Sequence, residues 1–102
     1  MIQISGDRLN HILYGDATGG GHMTGYGDPS KSHFPPPPAW TAIIIRQAIL
    51  AVANDPVSRR DRQPNGKMRV EGAYNGVIIR VVVDDHVNQV VTAHPINNYS
   101  IP

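Results

Sequence analysis

The alternation of apolar and polar positions divides the chain into a helical first half and a sheet-forming second half. Residues 5–14, SGDRLNHILY, place Leu9, Ile12 and Leu13 at i, i+3 and i+4. That spacing makes one apolar stripe on a short helix. Ser5 or Asp7 can cap its start and Gly15 can close it. At 100° per residue His11 falls roughly opposite the stripe, which predicts a side chain pointing out of the packed face. Residues 40–54, WTAIIIRQAILAVAN, predict a second helix with Thr41 as N-cap and Pro56 beyond its end. Only Arg46, Gln47 and Asn54 are clearly polar there, so the helix should be largely buried. Ile43, Ile44, Ala48, Ala51 and Val52 are its candidate core residues, with Trp40 an anchor at the core's edge.

After a polar stretch at 57–66 the period changes to two. Lys67, Arg69 and Glu71 alternate with Met68 and Val70. Asn75-Gly76 supplies the two positive-φ residues of a tight hairpin. VIIRVVVD then reads as a near-continuously apolar central strand broken by Arg80, and Asp85–Asn88 as the next turn. QVVTAHP is the last strand. Strict alternation would put Val90, Thr92 and His94 on one of its faces and Gln89, Val91 and Ala93 on the other. Asn97–Pro102 reads as an irregular tail. Helices first and a meander of antiparallel strands second give an α+β fold.

Composition narrows the class. A chain of 102 residues can bury one modest core, so 1–102 is read as a single domain. Nine prolines and ten glycines imply much irregular backbone. Without cysteine there is neither a disulfide framework nor a thiolate metal site. No apolar run reaches the roughly 18 residues of a membrane span, and no signal-peptide layout is present, so no membrane partner is expected. The net charge of +1 gives no global sign of nucleic-acid binding. Locally the picture differs: Arg59, Arg60, Arg62, Lys67 and Arg69 face a single acid, Asp61, within residues 59–69. A run like this is ordinarily a solvated loop, but it can also hold phosphates without reading bases.

Between the two helices, residues 15–39 form a long segment without periodicity. Pro35–Pro38 should make a stiff polyproline II strap into Trp40. The stretch His11–Pro35 holds three of the five histidines, one of the two lysines and six of the ten glycines. Unstructured loops this long in a small domain are uncommon and usually functional or disordered. Glycines allow close backbone approach to a ligand, and histidine and lysine move protons and bind anions near neutral pH. His11, His22 and His33 are spaced by eleven residues. That fits neither a metalloprotease helix nor a zinc finger, so no metal and no cofactor is expected.

Five ordered blocks carry a resemblance: HIL-x-GD-x-x-GGGH, KS-x-FP, a Trp opening a helix, NGV-x-IRVVV and TA-x-P. Together they resemble the bacterial EndoU-type ribonucleases, toxin domains of contact-dependent inhibition and related polymorphic toxin systems. The resemblance runs from about His11 to Pro95. It implies N-terminal helices packed on an antiparallel sheet, similar to barnase-like toxin nucleases. It also implies an endoribonuclease that cuts RNA, possibly tRNA, to 2′,3′-cyclic phosphate and 5′-hydroxyl ends. The setting it implies is the C-terminal domain of a secreted or cell-surface toxin. Such a domain acts in the target-cell cytoplasm and is neutralised by a cognate immunity protein. His11, His22 and Lys31 occupy the family's catalytic His, His and Lys positions, and Thr92 its hydroxyl position. His94 stands where the family usually has tyrosine. Tyr26 and Tyr99 are the aromatic groups that could stack on a base in its stead, whereas His33 and His86 map to no role. The contrasting reading is a non-catalytic RNA- or protein-binding domain that retains the fold.

Overall fold

The structure is a computed structural model that describes residues 1–100. Helix α1 spans Gly6–Tyr14 and helix α2 spans Ala42–Asn54. Both start as their caps dictate. The Ser5 hydroxyl accepts the Arg8 amide at 3.1 Å, and the Thr41 hydroxyl accepts the Ile44 amide at 3.3 Å. Strands β1 (Arg59–Arg62), β2 (Met68–Tyr74), β3 (Val77–Asp84) and β4 (Gln89–Pro95) form one antiparallel sheet in the order β1-β2-β3-β4. The fold is α+β. Asn75 and Gly76, at φ of 49° and 80°, make the β2–β3 hairpin turn.

Strand β3 alternates cleanly: Val77, Ile79, Val81 and Val83 are buried, and Ile78, Arg80, Val82 and Asp84 are not. With Val70, Val90 and Ala93 these residues form the sheet's share of the core. Helix α2 supplies Ile45, Ala48, Ile49, Val52 and Ala53. Each large aliphatic side chain buried here contributes roughly 1.5–3 kcal/mol. Phe34 stacks on Trp40 at 5.9 Å between ring centroids, with Tyr74 edge-on to the indole at 6.1 Å. Trp40 thus anchors the core's edge as its position predicts. Helix α1 adds Ile12 and Leu13 and packs beside β4.

Several expectations need correction. The α2 stripe is narrower than its composition implies and rotated from the expected one. Ile43 is 69% exposed and Ala51 is exposed too, because the sheet covers one side of the helix only. The stretch 57–66 is not all loop. Residues 59–62 pair with β2, and the ladder rather than any apolar pattern holds them as an edge strand. The proline run does not extend as a strap but turns over 37–39. In β4 a bulge breaks the alternation: Val82 pairs with Thr92 but Val83 pairs with Val90. Val90 is therefore in the core, while Thr92 and His94 lie on the opposite face. The tail from 97 to 100 is irregular; 101 and 102 lie outside the described residues.

Candidate active site

The glycine-rich segment is shaped by the end of α1. A helix leaves its last carbonyls without partners. Here Gly15 donates to the His11 carbonyl at 3.0 Å, Gly21 and His22 to that of Ile12 at 3.1 and 2.8 Å, and Met23 to that of Leu13 at 3.1 Å. The GGGH backbone is thereby fastened to the helix terminus. Gly20, at φ 78°, lies so close that a Cβ there would collide with the His11 carbonyl. His22 in turn accepts the Phe34 amide at 2.9 Å, which pins the 31–34 segment beside it.

This folding-back corrects the expectation for His11. The side chain is not exposed but 9% accessible, because the loop covers the face that helical periodicity leaves open. Its Nδ1 lies 2.9 Å from Asp16 Oδ2. The Thr18 hydroxyl, then the His11 ring, hold the Asp16 carboxyl well below its ordinary pKa. Asp16 is thus a carboxylate that orients His11, and sequence reading passed over it within HIL-x-GD.

His22 Nδ1 is 2.7 Å from the Ser32 carbonyl. A carbonyl only accepts, so Nδ1 carries the proton and Nε2 keeps its lone pair. Burial lowers the His22 pKa against the raising effect of that hydrogen bond, and positive charge on His94, Lys31 and His33 lowers it further. A neutral imidazole with a free Nε2 is a competent base at neutral pH. His94 lies beside it, with ring centroids 5.5 Å apart. His94 Nδ1 is 2.9 Å from the Pro95 carbonyl and 3.5 Å from the Ser32 hydroxyl. Lys31 Nζ donates to the Gly20 carbonyl at 3.0 Å, which bridges the segment to the GGGH backbone. Thr92 precedes His94 by two positions on the same face and is half-buried. His22, Lys31, Ser32 and His94 are therefore gathered at the β4 side of the sheet, and the His11–Asp16 pair sits at the end of α1, whose last carbonyls hold the GGGH backbone.

The sequence cluster of cations does not form one patch. Strand alternation sends Arg60 and Arg62 to one side of β1 and Arg59 to the other. Arg60 donates to the carbonyls of Ala53, Asp55 and Ser58, two of which close α2. Arg62 is held bidentately by Asp85 at 2.9 Å, and Lys67 by Asp84 at 3.3 Å. Those acids come from the end of β3 and the turn after it, far along the chain, so the local charge count could not include them. Arg59 meets Asp61 at 2.9 Å, and Arg69 lies 3.8 Å from the same carboxylate.

His33 is buried, with Nδ1 2.9 Å from the Lys31 carbonyl and Nε2 2.7 Å from that of Tyr26, and so staples the loop. His86 is exposed in the last hairpin. The Tyr99 hydroxyl accepts the Ile78 amide, and Tyr26 packs edge-on to Tyr14 at 4.7 Å. Glu71 and Arg80, paired at 3.1 Å on the uncovered face next to His94, also escaped the sequence reading. The only signal was an arginine inside an apolar strand. Among the described residues no group of three or more His, Asp or Glu side chains is placed to hold a metal ion, and no helix is long and apolar enough to cross a membrane.

No curated protein and no solved structure matches the chain. A sequence model of the bacterial EndoU nuclease family matches residues 25–97. The match takes in Lys31, Thr92 and His94 and begins after His11 and His22, whose places rest on the GGGH block and on the geometry above. It covers well over half of the chain, and the chain belongs to the bacterial EndoU nuclease family.

Proposed function

We propose that this domain is a metal-independent endoribonuclease toxin that cleaves RNA by attack of the substrate's own 2′-hydroxyl. His22 Nε2 takes the 2′-OH proton, and the 2′-oxygen bonds to phosphorus. The P–O5′ bond breaks, and the leaving 5′-oxygen takes a proton from the His11 imidazolium, which Asp16 orients. Lys31 carries the positive charge that stabilises the phosphorane. Thr92 and His94 line the same site and hold the reacting nucleotide. The products carry 2′,3′-cyclic phosphate and 5′-hydroxyl ends, and no step calls on a metal.

One observation supports this reading most: His22 is fixed by Ser32 as a neutral base with a lysine and a second imidazole beside it. Family membership supplies the nuclease chemistry. The toxin setting, a tRNA target and a cognate immunity protein follow from the resemblance to contact-dependent toxins. Burial of His11 favours the second reading, a binding domain without turnover. Incubating the chain with total RNA and sequencing new ends separates them. Discrete cuts lost in His22→Ala establish the nuclease, whereas intact RNA that co-purifies with the chain establishes the binder.

A further inference from the structure

The uncovered face of the sheet carries charges in two cross-strand rows. In the first row His94 pairs with Arg80, Arg80 with Glu71, and Glu71 with Arg59. In the second Thr92 pairs with Val82, Val82 with Arg69, and Arg69 with Asp61. Both rows start at the site and cross the sheet away from it. Strand spacing makes that crossing about 14 Å long. Helix α2 packs on the other side, so these side chains remain reachable.

A solvated antiparallel face with cross-strand ion pairs is common. That account expects the two signs to balance across the face. It is not so here. Arg80 sends both Nε and Nη2 to one oxygen of Glu71, at 3.2 and 3.1 Å, and Nη1 has no hydrogen bond among the described residues. Asp61 Oδ2 is shared between Arg59 and Arg69. Arg69 Nη2 reaches that oxygen only at 3.8 Å, longer than a hydrogen bond, while its buried Nε makes no hydrogen bond among the described residues and is closed to a ligand. Arg69 and Arg80 are each about a third exposed, at 34% and 35%. Three arginines thus share two acids, with donors left over on the two nearest the site. Guanidinium forks suit phosphate oxygens in geometry and charge.

We propose that this face is a phosphate track in which Arg80 and Arg69, and then Arg59, hold the RNA backbone flanking the nucleotide at His22 and His94. The ligand is single-stranded RNA, which rests on the nuclease reading, but the track's affinity for it is measurable without cleavage. Glu71 limits the track by drawing Arg80 towards itself.

The experiment measures binding of 2′-O-methyl RNA, from dinucleotide to hexanucleotide, against salt concentration. Wild-type affinity should rise with length. Arg80→Gln and Arg69→Gln should each weaken hexanucleotide binding roughly tenfold and flatten the salt slope by about 0.7. Arg46→Gln, on the exposed side of α2, should change neither. Glu71→Gln should tighten binding by freeing Arg80, a gain that misfolding cannot mimic. Equal affinity for all lengths, wild-type salt slopes in both glutamine variants, or no gain in Glu71→Gln would each overturn the track. Cleavage of an unmodified dinucleotide is scored alongside. Cleavage without length-dependent binding removes the track alone, and length-dependent binding without cleavage removes the nuclease reading alone.

Discussion

The rings of His22 and His94 lie 5.5 Å apart and are tilted by 31°, each with Nδ1 against a main-chain carbonyl. A proton on His94 therefore disfavours a proton on His22, and this adds to the lowering that burial causes. The sign for the reaction follows. In the proposed mechanism catalysis needs neutral His22, so the acidic limb of the pH–rate profile should lie below the ordinary histidine value. Replacing His94 with glutamine removes one positive neighbour and raises the His22 pKa. The acidic limb should move to higher pH, though only in part, because burial remains. An acidic limb that stays in place in His94→Gln would separate the two rings functionally.

Removal of proton-transfer groups has a defined size. His22→Ala and His11→Ala should each lower the rate by roughly 10²–10⁴-fold, and His11→Ala, which empties a buried position beside Asp16, should also lower the melting temperature. Near-normal turnover in either variant would take that residue out of the chemistry.

The welding of the loop to α1 predicts a contrast between two glycines. Gly20 and Gly25 both have positive φ, yet a Cβ at Gly25 meets open space while one at Gly20 meets the His11 carbonyl. Gly25→Ala should cost only the backbone strain, about 1 kcal/mol. Gly20→Ala adds a main-chain clash and should lower the melting temperature further and abolish activity by displacing His22. Melting curves and single-turnover rates of the two variants check this; equal effects would contradict it.

Arg60 and Arg69, nine residues apart in one cationic run, should behave differently. Arg60 serves the last carbonyls of α2, so Arg60→Ala should reduce stability and leave the salt slope of RNA binding intact. A slope that falls in Arg60→Ala would make this residue a phosphate contact after all.

These contrasts trace how far the chain can be read in one dimension. Caps, the Asn75-Gly76 turn and the apolar alternation of β3 are local, and Ser5, Thr41 and Asn75 show them directly. The Thr92/His94 face and the cluster of His22 with Lys31 were also legible, through residue type and motif. What was not legible depends on distant partners. Edge strand β1 exists through its ladder to β2, and the bulge at Val91 breaks a period that local sequence suggests. His11 is buried by a loop that follows it, and Asp84 and Asp85 neutralise Lys67 and Arg62 from across a hairpin. Arg80 gains meaning only in register with His94 and Glu71.

The proposed toxin reading requires an inhibitor in the producing cell. The immunity protein should present an acidic surface over the cleft at His22, Lys31 and Thr92, burying at least about 1,200 Å². Hydrogen exchange should then slow across residues 15–34 in the complex. An unaltered loop with full RNA access would point to a remote site.

The central claim is that RNA supplies its own nucleophile to a histidine base without metal. The most direct measurement uses matched oligonucleotides that differ by one oxygen, ribose or 2′-deoxyribose at the mapped scissile position, in the presence of EDTA. The ribose substrate should be cut to a 2′,3′-cyclic phosphate and a 5′-hydroxyl, and the deoxy substrate should stay intact. Cleavage of both, or of the ribose substrate only after a divalent metal is restored, would contradict the account.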